Sequence, residues 1–175
     1  MSNRNIAVSV ALTLLLSACG VWQAASNTSA TAYDTVFHNL GKTVDVDLTA
    51  DANVNPDSAG HPRSVAVRVY QLKDRKRFDE TSYADLVSND TTALGNDLQS
   101  SMAVVVNPGG AASVSQPMKK DTKFIAIAAI FQTADKPATW KQVVPIKKLP
   151  ADAPLKLTLT NTTLDVDRDL APRRP

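Results

Sequence analysis

Thr43-Val44-Asp45-Val46-Asp47-Leu48 alternates polar and apolar residues over its whole length. A two-residue period puts Val44, Val46 and Leu48 on one face of an extended chain and Asp45 and Asp47 on the other, the pattern of a half-buried β-strand. Downstream the pattern recurs. Ser64–Leu72 (SVAVRVYQL) is dense in β-branched and aromatic residues and predicts a second strand. Met102–Val106 runs apolar into Asn107-Pro108-Gly109-Gly110, a turn signal that reads as a hairpin. Ala112–Gln116 is a short strand that Pro117 ends. Lys123–Gln132 (KFIAIAAIFQ) is almost continuously apolar; Pro137 and turn-rich flanks limit its length, which favours a central strand over a buried helix. Thr139–Ile146 alternates loosely. Leu155, Leu157 and Leu159 alternate with Lys156, Thr158 and Thr160, and Asn161 turns the chain into Thr163–Val166. About eight short strands, with Gly and Pro mostly in the connections, predict a mainly β protein built as a two-sheet β-sandwich.

One stretch breaks the pattern. Asp79–Gly95 carries helix signals: Ser82 as N-cap with Asp85 three residues on, Asp90 as cap of a second turn, and Gly95 as the stop. Tyr83, Leu86, Val87 and Leu94 are expected to face the strands. Arg68 shares a strand face with Tyr70. A charge in so apolar a strand must snorkel or find a carboxylate. Asp79, Glu80 and Asp85 are the candidates for structural pairing; a functional contact is the alternative.

Upstream of the strands lies a different kind of segment. A polar start with Arg4, an apolar run from Ile6 to Leu16, and small residues form the layout of a secretion signal. The run is too short for a transmembrane span, which needs about 20 apolar residues. Leu16-Ser17-Ala18-Cys19 resembles the lipobox of bacterial lipoproteins, whose cysteine is acylated and becomes the mature N-terminus. One acyl chain holds only marginally, whereas two or three hold firmly. The expected organisation is a lipoprotein signal peptide (1–18), a lipidated flexible tether (19–32), a β-sandwich domain (33–170) and a disordered tail (171–175). Gly20 is not the Asp that retains such proteins in the inner membrane, so the sorting rule points to the periplasmic face of the outer membrane.

Composition excludes several chemistries. Without Arg4 the mature chain has eighteen basic and seventeen acidic residues, a balance with no nucleic-acid-binding character. Cys19 is the only cysteine, so no intrachain disulfide and no thiolate zinc site can form. His38 and His61 stand alone, without metal-binding spacing, and no cofactor or metal is expected. No nucleophile elbow, Walker loop or dinucleotide fingerprint is present. The chain reads as a non-enzyme. A periplasmic ligand-binding or carrier lipoprotein is the alternative, and it would need an apolar cavity between the sheets.

The middle of the chain resembles a known family. Asn55, Gly60, Pro62, Val67-Arg68-Val69-Tyr70-Gln71-Leu72, Phe78, Tyr83, Leu86, Leu94-Gly95-Asn96-Asp97-Leu98, Pro108-Gly109 and the strand Phe124–Phe131 are similar to the outer-membrane lipoprotein of type VI secretion systems, the TssJ family. Gln132 stands where the family pattern would put an arginine. The resemblance implies a transthyretin-like sandwich with added helical elements. It also implies a partner, the periplasmic C-terminal region of the inner-membrane protein TssM, and an indirect one, TssL, in a trans-envelope complex. The family's loop between the first two strands is implicated in TssM contact. The matching stretch here is Ala50–Arg63, with Asn53, Asn55, Pro56, Asp57, Gly60, His61 and Pro62 as the expected contact residues. At about fourteen residues it is long for a strand connection, and its two prolines reduce the ordering cost of binding. Deleting Asn53–Gly60 is expected to leave the sandwich folded but to weaken TssM binding.

Overall fold

The computed structural model describes residues 42–132, 139–150 and 152–167. The signal segment, Cys19, Gly20, the tether, His38, Pro137 and the C-terminal tail lie outside the described residues. Within them, eight strands form two four-stranded sheets. The strands are β1 (Thr43–Ala50), β2 (Val65–Leu72), β3 (Leu98–Val106), β4 (Ala111–Pro117), β5 (Phe124–Ile130), β6 (Lys141–Pro145), β7 (Leu155–Thr160) and β8 (Thr163–Val166). Two helices, α1 (Lys76–Glu80) and α2 (Tyr83–Leu94), lie between β2 and β3. One sheet has the order β4-β1-β7-β8, the other β3-β2-β5-β6. Every pairing is antiparallel except β1 with β7.

The sandwich follows from the alternation. Val44, Val46 and Leu48 of β1 and Leu155, Leu157 and Leu159 of β7 are buried against Val65, Val67 and Val69 of β2 and Ile125 and Ile127 of β5. The second sheet is covered on its other face too. There Tyr70, Leu72, Ala126 and Ala128 pack against Phe78, Leu86 and Leu94 of the two helices. This double burial explains why β5 reads as a continuous apolar run: it lies between β2 and β6, with both faces covered.

Several local expectations change. The Asn107–Gly110 turn does not close a hairpin. It passes the chain from β3 in one sheet to β4 in the other, with Gly109 at φ +67°. Strand β3 starts at Leu98, four residues before the apolar run; backbone pairing with β2 extends it through polar Gln99–Ser101. Helical structure begins at Lys76, ahead of Asp79. Ser82 caps α2 as expected, with its Oγ accepting from the Asp85 amide at 3.2 Å and donating to the Asp85 carboxylate at 2.6 Å. The second turn is capped by Asn89, not Asp90. Asn89 leaves helical geometry (φ −157°, ψ 79°), and its Oδ1 accepts from the Thr92 amide at 3.1 Å. The resulting kink leaves Val87 exposed instead of facing the strands. Gly95 ends the helix at φ +53°, where a Cβ would meet the Arg77 guanidinium at 2.9 Å.

Candidate docking site at the β1–β2 loop

The strand directions sort the connections onto two ends. The β1–β2 loop (residues 51–64), the β3–β4 turn and the β7–β8 turn share one end. The first residue of β1, the β2–α1 link, the β4–β5 loop and the β6–β7 segment share the other. The loop is held by its neighbours. The Asp51 amide donates to Leu159 (2.9 Å), the Gly109 amide to Asp51 (3.1 Å), the Asn55 amide to Asn161 (2.6 Å) and the Arg63 amide to Val54 (3.1 Å). Val54 is fully buried and belongs to the main core.

Asn55 and Asp57 organise the rest. Asn55 takes a left-handed backbone (φ +50°) that Asn tolerates better than most residues. Its Nδ2 donates to the Ser64 carbonyl at 2.8 Å and its Oδ1 accepts from the Gln132 amide at 2.7 Å. Asp57 Oδ1 accepts from the amides of Ala59 and His61, both at 2.9 Å, as an Asx turn does. Its Oδ2 accepts from the Arg63 guanidinium at 2.7 and 3.1 Å. The His61 amide first, then Arg63, hold the Asp57 carboxyl down at about 2. The Asp57 amide donates to His61, and the Gly60 amide to Asp57, closing a tight turn with Gly60 at φ +82°.

The seven residues expected to contact a partner therefore divide. Asn53, Gly60, His61 and Pro62 are exposed, Pro56 and Asp57 half-buried, and Asn55 is 2 % exposed. The Asn55 side chain is used inside the fold and positions the loop. Deleting Asn53–Gly60 would remove Val54 from the core and both Asn55 bridges, so a loss of stability is expected alongside any loss of binding. Sequence reasoning missed Arg63, Asn161 and Gln132 as loop supports. Asp57-Ser58-Ala59-Gly60 carried the Asx-turn signal; Asn161 and Gln132 are too distant in sequence to be linked to the loop. Gln132 acts through its amide, so the departure from the family's arginine leaves this contact intact.

Arg68 sits elsewhere, under α2. Its Nη1 donates to the Leu86 carbonyl (2.9 Å) and to Asp90 (3.1 Å), and the Tyr70 hydroxyl donates to the same carboxylate oxygen at 3.1 Å. The partner is Asp90, not Asp79, Glu80 or Asp85, because the Asn89 kink turns Asp90 back toward the sheet. Burial first, and then the Asp90 charge, raise the Tyr70 phenol above its ordinary value, keeping it a donor. His61 and Arg68 have separate partners and form no joint site. Between the sheets, fully buried Val, Leu and Ile side chains fill the space a carried ligand would need.

Comparison with known proteins agrees with this fold. Residues 42–167 match the family model described as "Type VI secretion lipoprotein, VasD, EvfM, TssJ, VC_A0113". A solved chain from a structure described as "Type VI membrane complex" is 35% identical over 73% of this chain and 98% of that chain, with a TM-score of 0.68. One from the structure described as "T6SS protein TssM C-terminal domain (869-1107) from EAEC" is 32% identical over 72% and 98%, with a TM-score of 0.64. The T6SS lipoprotein TssJ1 from Pseudomonas aeruginosa is 26% identical over 73% and 95%, with a TM-score of 0.64. No curated protein matches the chain. With the family model spanning both sheets and the loop between β1 and β2, the chain belongs to the type VI secretion lipoproteins of the TssJ family.

Proposed function

We propose that this lipoprotein is held to the periplasmic face of the outer membrane by acyl chains on Cys19. From there it docks the periplasmic C-terminal region of TssM through the tip of the β1–β2 loop, and so reaches TssL indirectly within the membrane complex. The observation that carries the reading is the form of the loop. Asn55 and Asp57 fix its backbone from within, while Asn53, Gly60, His61 and Pro62 stand exposed on it. A loop ordered before binding loses little entropy when it binds. Its placement supports the same reading. The eight residues of β1 separate it by about 25 Å from Lys42, where the preceding chain enters the sandwich. Similar chains in structures described as a type VI membrane complex and a TssM C-terminal domain also support it. The role is mechanical: a rigid body that presents a contact, with no reaction of its own.

The test leaves Val54, Asn55 and Asp57 untouched. His61→Ala combined with Pro62→Ala is expected to weaken binding of the TssM periplasmic C-terminal region at least about tenfold by calorimetry, as loss of central interface contacts does, with the melting temperature of the sandwich unchanged. Unchanged affinity would remove the loop tip from the interface.

A further inference from the structure

The end of the sandwich opposite the loop carries an excess of lysine. The connections there bring together Lys42, Lys73, Lys119, Lys120, Lys123, Lys147 and Lys148, against Asp74, Asp121 and Asp152, with Asp97 beside Lys73 and with Asp45 and Asp47 on the strand wall next to Lys42 and Lys147. Among the described residues, Lys73 is the one of these lysines with an ion pair, to Asp121 at 3.5 Å; the other six are exposed. They are held together by the backbone. The Met118 amide donates to Lys42 at 2.7 Å, the Lys123 amide to Leu72 at 2.8 Å and the Ile146 amide to Lys123 at 3.0 Å. Beneath them, the buried Gln71 amide ties down the β4–β5 loop. Its Oε1 accepts from the Lys119 amide at 2.7 Å and the Thr122 hydroxyl at 2.9 Å, and its Nε2 donates to Pro117 at 2.9 Å. The lysines thus ride on a rigid platform. The loop end carries Asp51, Asp57, Arg63 and His61 in its described residues, with no excess of positive charge. The nearly neutral balance of the whole chain hides this asymmetry.

We infer that this basic end is a phospholipid-facing surface, docking on the anionic headgroups of the bilayer and turning the β1–β2 loop away from it. Two observations select that occupant. The charge is complementary to phosphate, and lysines near an anionic bilayer attract it within a Debye length. The surface includes Lys42, so the chain that leads to Cys19 enters the sandwich at this same end. An acyl anchor limits distance but not orientation. A basic face at the end of the sandwich where Lys42 lies sets orientation, and the loop then projects away from the membrane toward its partner. The inference rests on the anchoring part of the proposed function for its cellular setting, but its test needs neither acyl chains nor TssM.

The experiment uses the mature chain, residues 19–175, with Cys19→Ser, and vesicles of phosphatidylcholine alone or with phosphatidylglycerol. Co-sedimentation is expected with the phosphatidylglycerol vesicles only, falling steeply as salt rises. Lys119→Glu/Lys120→Glu/Lys147→Glu is expected to weaken it at least about tenfold, since each lysine near the surface adds to the attraction. Lys156→Glu, on the open face of the β4-β1-β7-β8 sheet, is expected to leave it unchanged. Equal binding to both vesicle types, or indifference to salt, would overturn the inference whether or not the triple variant folds. So would binding only to an acidic protein or to cell-wall fragments. Failure here with normal TssM affinity would leave the docking reading standing; the reverse pattern would leave the basic face standing.

Discussion

Asn55 shows how one side chain can be committed to the inside of a loop. An Asn in a long polar loop looks like a contact residue, and its value here comes from three constraints met together: a left-handed φ, a donor to Ser64 and an acceptor for Gln132. Asn55→Ala loses all three and is expected to cost about 2 kcal/mol, chiefly by taking the side-chain partner from the Ser64 carbonyl and the Gln132 amide; a melting temperature lower by about 5 °C checks it. Asn55→Gly keeps the backbone freedom and is expected to recover only part of that loss. Asp57 gives the loop a pH dependence. Its carboxyl sits at about 2 in the fold against an ordinary 3.8. A depressed carboxyl contributes stability in full above its unfolded value and loses it as pH falls through its folded one. Loop order is therefore expected to persist at neutral pH and to fade from about pH 3.8 toward 2, read as faster exchange of the Ala59 and His61 amides. In Asp57→Asn, whose Oδ1 still accepts but without charge, protection of those amides is expected to be lower at neutral pH and to show no loss between pH 3.8 and about 2.

At the scale of elements, the helical insertion is fastened to the sheet by polar contacts at the α1–α2 junction and within α2. Lys141, at the start of β6, donates to the carbonyls of Phe78 (2.9 Å), Asp79 (2.7 Å) and Thr81 (3.2 Å) and so caps the C-terminus of α1. Burial lowers its pKa. Its ammonium also lies 4.9 Å from the Trp140 ring centroid. Tyr83 packs edge-on against Trp140 and donates to the Phe131 carbonyl at 2.6 Å. In the middle, Asp90 receives both Arg68 and Tyr70. Asp90→Ala strands a half-buried guanidinium and is expected to cost about 2 kcal/mol by denaturant titration. Asp90→Asn, which keeps an acceptor but not the charge, is expected to cost less. The helix caps at Ser82 and Gly95 were readable because capping depends on neighbours within four residues. The Asn89 kink was not: it exchanges local helical geometry for the Arg68–Asp90–Tyr70 contact, whose partners lie twenty or more residues apart.

For the whole molecule, the basic end and the loop end lie at opposite ends of the β1 strand. The two modes of attachment proposed, acyl chains and lysines, make separable demands in cells. Cys19→Ser is expected to move the protein from a membrane fraction that needs detergent for release to one that a high-salt wash empties. Release by salt alone from the native chain would contradict acylation. Alternation in β1 and β7, and the apolar run of β5, made the β class and the buried faces legible, because burial on one side or both writes itself into residue order. The long loop and the family strings were equally local. Sheet membership was not: Asn107-Pro108-Gly109-Gly110 reads as a hairpin whether its strands pair or part, and only packing of the two sheets decides. Nor could residue order place six exposed lysines from three separate segments on one end, or turn Asn55 inward. Those depend on which strand ends meet, and strand pairing is a property of contacts distant along the chain.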